Sequence, residues 1–180
     1  DEEKLFERHT SVFSGSLKFL LLIFLEVLIY HFSVATNNIL KAENKSLIFK
    51  DFFRAERRMI LIMGRNWALG IAMYTIVSTG LGLLGYRFLI EEIMFVIYGF
   101  YLGFAFIDNY LEQYEFSIKE STKCIQKHFG AAIVFGLFAS VTMNIPFIGP
   151  LAVPFICAIA ATRYGHHMQI EDFKLEPEKA

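Results

Sequence analysis

Arg65 and Asn66 interrupt an apolar run that begins at Met59 and resumes as WALGIAMYTIVSTGLGLLG from Trp67 to Gly85. A guanidinium in that place offers an oxyanion two parallel N–H donors. It equally suits the polar edge of a helix, reaching back to a water interface. Further along, Asn144, Pro146, Gly149 and Pro150 open the backbone of an otherwise apolar stretch. A helix that restarts after such a break turns free N–H groups toward an anion, and the same residues also suit a purely structural turn. Arg65, Asn144 and Gly149 are thus the candidate anion-binding residues, and Pro146, Pro150 and Pro154 shape the bend. Glu26 lies inside the first apolar run with Tyr30 and His31 one turn on. An ionisable group at that depth is costly, so ion or proton handling by Glu26 and His31 competes with a plain interhelical hydrogen bond.

Other chemistry has little to stand on. There is no GxSxG, Walker-type loop, HExxH or Cys/His nucleophile pair, and Cys124 and Cys157 form no CxxC. No enzyme, ATP-driven pump, cofactor or metal site is expected. His166-His167 followed by Glu171-Asp172 reads as coincidence. With 17 basic against 18 acidic residues and a net charge of −1, the chain lacks the cationic field that draws a protein to nucleic acid.

The elements that must carry these residues are membrane helices. The 180 residues are 55% hydrophobic and only 19% charged, where a soluble domain has about 25% charged residues. Residues 19–35 form one apolar run, near the lower length limit for crossing a hydrocarbon core of about 30 Å. Residues 41–58 hold six basic against three acidic side chains, which marks a cytoplasmic, basic amphipathic segment lying on an anionic surface, or an ordinary charged linker helix. Residues 59–107 read as a first hairpin, shallow or re-entrant in competition with two full spans. Gly99 and Gly103 give its second arm a GxxxG face for close helix packing. Residues 108–128 form a polar connector, residues 129–164 a second hairpin broken by prolines, and residues 165–180 a polar tail. The fold class expected is an all-α integral membrane protein: a transmembrane helix and two shallow or re-entrant helical hairpins, joined by cytoplasmic amphipathic helices.

Residues 108–162 carry a more specific signal: Asp108-Asn109-Tyr110, Phe116-Ser117, Phe129-Gly130, the run Ile145-Pro146-Phe147-Ile148-Gly149-Pro150, Pro154, and Ala158-Ile159-Ala160-Ala161-Thr162. This order resembles the CysZ-type sulfate permeases and their eukaryotic relatives, the etoposide-induced membrane proteins. The chain departs from the family pattern at Asn109, at Gly149-Pro150 and at Ala160-Ala161. The resemblance implies long transmembrane helices combined with partly penetrating hairpins, both termini cytoplasmic, and a further membrane helix ahead of residue 1.

The expected function is passage of sulfate or a related small anion across the inner membrane without ATP hydrolysis. The chain would be multi-pass and in contact with membrane lipid, with its C-terminus cytoplasmic, and several copies would build the pore as a homo-oligomer. The alternative is a non-transporting scaffold or accessory subunit of a larger membrane complex.

Overall fold

The computed structural model describes residues 16–42, 49–146 and 148–170. Among these, all regular structure is helical: α1 (Ser16–Lys41), α2 (Phe49–Leu84), a 3-10 turn (Arg87–Leu89), α3 (Ile90–Glu112), α4 (Ile118–Lys127), α5 (Phe129–Thr142) and α6 (Ile148–His167).

Several elements run past the limits that polarity suggests. The apolar segment at 19–35 lies within the 26-residue α1. No boundary separates a basic segment ending at 58 from a hairpin starting at 59, because α2 is one helix of 36 residues without a proline. At 1.5 Å per residue it is about 54 Å long. It stops in a Schellman motif: Gly85 takes the left-handed φ of +79°, and the Tyr86 N–H reaches the Leu81 carbonyl at 2.8 Å. Likewise the polar connector does not begin at 108, since α3 continues to Glu112 and Asp108, Asn109 and Glu112 are buried. At the far end α6 runs on to His167 and Ile170 is buried, while His167, Met168 and Gln169 are exposed. Residues 171–180 lie outside the described residues, as do residues 43–48 of the basic segment.

The polarity switch at His128–Phe129 coincides with a 93° change of direction between α4 and α5. Met143 to Pro146 then form turns before α6. Pro146 sits in this break and Pro150 in the first turn of α6, where a missing N–H costs nothing. Pro154 is not part of the bend: it lies inside α6, where its missing N–H leaves the Pro150 carbonyl without its usual helical donor.

Both hairpin turns fall at one end of the molecule. Gly103 packs on Ala132 and Gly99 on Gly136 and Leu137, so α5 runs antiparallel to α3 and carries the 143–147 turn toward the 85–89 turn. α6 returns alongside, placing Gly165 against the Tyr110 ring. α1 packs on α6 through Phe32–Phe155 ring contact and a Ser33–Thr162 hydrogen bond. The opposite, basal end gathers Lys41, Arg54 to Arg58, residues 113–117 and α4. The core between them is built around the second half of α3, with Phe104, Phe106, Ile107, Tyr110 and Leu111 almost fully enclosed.

Three stretches, Phe53–Leu84, Arg87–Glu112 and Ile148–His167, are long and apolar enough to cross a membrane. Both arms of the first hairpin are thus long enough to cross, whereas the 14-residue α5 rises only about 21 Å. The most apolar window of Phe53–Leu84 is 6% buried, against 50% for the other two. Trp67, Ile71, Tyr74, Ile76 and Leu83 therefore present an apolar surface outward.

The α3–α5 contact sets a test. A Cβ at Gly103 would run into the Ala132 carbonyl, whereas nothing lies within 4 Å of one at Gly80. Gly103→Ala should cost about 1–3 kcal/mol by forcing the helices apart, read as a lower unfolding temperature in detergent. Gly80→Ala should be neutral or gain up to about 1 kcal/mol from helix propensity.

Candidate functional site

Four ionisable residues pair where α2 passes α3 at the basal end. Arg54 and Arg58 are one turn apart on α2, Asp108 and Glu112 one turn apart on α3, and the antiparallel helices set them face to face. Arg58 donates through Nε to Asp108 Oδ2 and through Nη2 to Asp108 Oδ1, both at 2.7 Å. Its Nη1 donates to the Phe116 carbonyl, and Nη2 also reaches Ser121 Oγ at 2.7 Å. One guanidinium thus joins α2, α3, the 113–117 turn and α4. The side chains of Arg58 and Asp108 are only 12% and 3% exposed, so this is a desolvated, bidentate ion pair.

Glu112 is held less tightly. Its Oε1 stands 3.6 Å from Arg54 Nε and its Oε2 3.9 Å from Arg58 Nε. Oε1 accepts no hydrogen bond among the described residues. Arg54 also pairs with Asp51 at 3.5 Å. Arg54, Arg57, Arg58, Glu112 and Ser117 line an open pocket of about 420 Å³, with Leu61, Phe116 and Ile118 on its apolar side. Arg57 is exposed and makes no ion pair among the described residues.

Arg65 continues the same face. At 3.6 residues per turn, Arg54, Arg58 and Arg65 fall within about 40° of one another around α2 and span about 16 Å along it. Unlike Arg58, Arg65 meets only neutral acceptors among the described residues. Nη2 and Nε donate to Asn66 Oδ1 at 3.1 and 3.4 Å, and Nη1 donates to Thr122 Oγ1 at 2.8 Å. The Phe104 ring lies beneath it, 4.7 Å from Cζ, a cation–π contact. Asn66 is itself oriented by donating to the Tyr101 carbonyl at 3.4 Å.

A second polar chain crosses the interior beside this ladder. Gln113 donates to Ser33 Oγ at 2.7 Å, and the Thr162 hydroxyl donates to the Ala158 carbonyl at 2.8 Å. Ser33 must therefore donate to Thr162, 2.7 Å away. Asn37 and the Tyr114 hydroxyl pair nearby. Asn109 Nδ2 is buried with no acceptor among the described residues.

The residues that sequence suggested for an anion do not converge. Arg65 touches α3 and α4, whereas Asn144 is exposed in the turn at the other end of α5. The helix start at 148 is not free to bind an anion either. Ile148 N–H already donates to the Pro146 carbonyl and Gly149 N–H to the Ile145 carbonyl, at 2.7 and 3.0 Å, and Pro150 has no N–H. Gly149 is buried against the backbone of Thr142 and Met143, so its place there is a matter of packing. His31 points out of the bundle, edge-on to Phe32, while its neighbour Tyr30 is enclosed. The side chain of Glu26 lies outside the described residues.

Sequence alone does not single out Arg54, Arg58, Asp108 and Glu112 as site residues, because charges in these stretches read as solvated connectors. The matching four-residue spacings, two arginines against two carboxylates, were the available signal. Among the described residues, no group of three His, Cys, Asp or Glu side chains could hold a metal ion. No protein-family model, curated protein or solved structure matches the chain.

Breaking the bidentate pair should be costly. Arg58→Ala strands Asp108 and is expected to destabilise by about 3–5 kcal/mol, while Arg58→Met combined with Asp108→Leu should recover most of that. Unfolding in detergent for the three proteins would check this, and equal losses in the single and double variants would contradict it.

Proposed function

We propose that this chain is a multi-pass membrane protein through which a small oxyanion such as sulfate crosses without ATP hydrolysis, with Arg65 as its transient partner. The supporting observation is the surroundings of Arg65. A guanidinium on a helix long and apolar enough to span a membrane has only Asn66 and Thr122 as hydrogen-bond acceptors, and no carboxylate pairs with it among the described residues. A charge kept in such a place with no carboxylate in direct contact, Asp108 acting on it only from a distance through its pair with Arg58, is a functional candidate by default. An oxyanion would supply the missing charge through two parallel hydrogen bonds.

The basal pocket is a fitting mouth for this route. Arg54 and Arg57 would attract an anion there, and Arg65 lies along the same helix farther in. Lys41, Arg54, Arg57 and Arg58 at the basal end support a cytoplasmic placement of that side by the positive-inside bias, and His167 at the end of α6 would then lie on that side too. The inner membrane is the proposed location, in keeping with the resemblance to CysZ-type permeases. A route lined by so few helices calls for several copies, and the outward apolar face of α2 suits lipid or a neighbouring copy. That same face, 6% buried in its most apolar window, favours a second reading as a scaffold that docks on a larger membrane complex.

Sulfate uptake into proteoliposomes separates the two. The native chain should show saturable uptake above empty liposomes. Arg65→Gln should lose about tenfold or more, the order expected when an ionised hydrogen-bond partner is removed, and Arg65→Lys should keep part of it, since lysine restores charge without the planar fork. Folded, inserted protein with no uptake would leave the scaffold reading, and a stoichiometric partner in mild detergent would then be expected.

A further inference from the structure

α4 sits across the basal end like a bar between two joints. On one side Glu115 has a left-handed φ of +59°. On the other, His128 alone separates α4 from α5 at the 93° bend. Between the joints α4 is a firm unit, because Ser117 and Glu120 form a reciprocal capping box. Its outer side exposes Lys119, Lys123 and Lys127, while Ser121, Cys124 and Ile125 are buried beneath it.

Two hydroxyls on successive residues fasten this helix to the arginine ladder: Ser121 to Arg58 and Thr122 to Arg65. The two fastenings differ. Arg58 has Asp108 as its main partner, and Ser121 only adds to a satisfied ion pair. Among the described residues Arg65 has no such partner, and the Thr122 hydrogen points elsewhere, to the Ile118 carbonyl at 2.7 Å. Thr122 Oγ1 therefore serves Arg65 purely as a neutral acceptor. The bond from Arg65 to Thr122 has one ionised partner, whereas a bond to an oxyanion has two of opposite sign and adds their direct Coulombic attraction. An oxyanion reaching Arg65 would outcompete Thr122 for Nη1.

We propose that α4 is a ligand-operated gate, with Thr122 occupying on Arg65 the position of a substrate oxygen, so that an arriving anion displaces it and leaves α4 tied to α2 through the Arg58–Ser121 bond alone, about which the helix can tilt. This rests on the reading of Arg65 as the anion's partner. The pocket ends at Ser117 and Ile118, the start of α4, so tilting the Thr122 side of α4 away from α2 would extend the pocket toward Arg65. Because the anion binds the open form better than the closed one, its binding shifts the balance toward open. Ser121 and the buried Ile125 draw the helix back when the anion leaves.

Cys124, 1% exposed beneath α4, is a built-in reporter, as a buried thiol is inert until uncovered. In a Cys157→Ala background, the full reconstituted chain would be treated with a water-soluble maleimide in sodium sulfate or in sodium chloride at equal ionic strength. Sulfate should speed Cys124 labelling about fivefold or more, the scale of an ordinary coupling between sites. Thr122→Val should raise the rate in chloride and remove most of the sulfate effect, while Thr122→Ser, which keeps the oxygen, should behave like the native chain. Ser121→Ala should leave the sulfate effect in place. Sulfate uptake with labelling indifferent to sulfate and to Thr122→Val would overturn the gate alone. Indifferent labelling together with absent uptake would overturn the gate and the anion reading of Arg65 as well.

Discussion

The bidentate contact between Arg58 and Asp108 fixes how the rest of the basal end is arranged. Neither side chain can be left alone in so enclosed a place, since an unpaired buried charge costs several kcal/mol. α2 and α3 must consequently meet in the register that brings them together, with Arg54 opposite Glu112 one turn away. The same guanidinium holds the Phe116 carbonyl and Ser121, so the turn after α3 and the start of α4 are placed by it as well. Once Arg58 faces inward, helical geometry carries Arg65 to the same side, over the Phe104 ring and under Thr122. An apolar replacement of the pair could be equally stable; what the charges add is a definite rotation of α2.

A steric constraint complements this electrostatic one on the other side of α3. Gly99, Gly103 and Gly136 allow α3 and α5 to touch backbone to backbone, a separation no side chain permits. That contact keeps the short α5 close to a helix long enough to cross a membrane. The second hairpin therefore has one arm too short to span alone, while α6 returns at full length. The break between them satisfies itself locally through Ile148 and Gly149, which is how non-helical backbone survives among apolar surroundings.

Much of this architecture is legible in the sequence. Apolar runs, the Pro-containing break and the glycine spacing each point to helices, hairpins and close packing, because all three are local properties. Helix limits at the basal end are not, since a charged residue is equally compatible with solvent and with a buried partner on another helix. Asp108 and Glu112 look like the start of a polar connector until Arg54 and Arg58 are set against them. Thr122 is still less visible, being an ordinary hydroxyl in a polar stretch. Gly149 illustrates the reverse error: a glycine at a helix start suggests an anion site, yet its N–H and its space are already taken by the preceding turn.

The two inward arginines of α2 show how a structural charge differs from one that awaits a ligand. Arg58 has a carboxylate in ideal geometry and a carbonyl besides, so an incoming anion would have to displace Asp108 into a buried setting with nothing to replace its partner. Arg65 has an amide oxygen, a hydroxyl oxygen and an aromatic face. Each of these eases desolvation of the guanidinium, and none cancels its charge. An anion at Arg65 displaces only neutral groups, whose release costs less than stranding a buried carboxylate, and brings a full counter-charge in return. Arg58 is thereby suited to hold helices in place, and Arg65 to exchange partners. The difference lies in the neighbours that α3 and α4 supply to one and the same residue type.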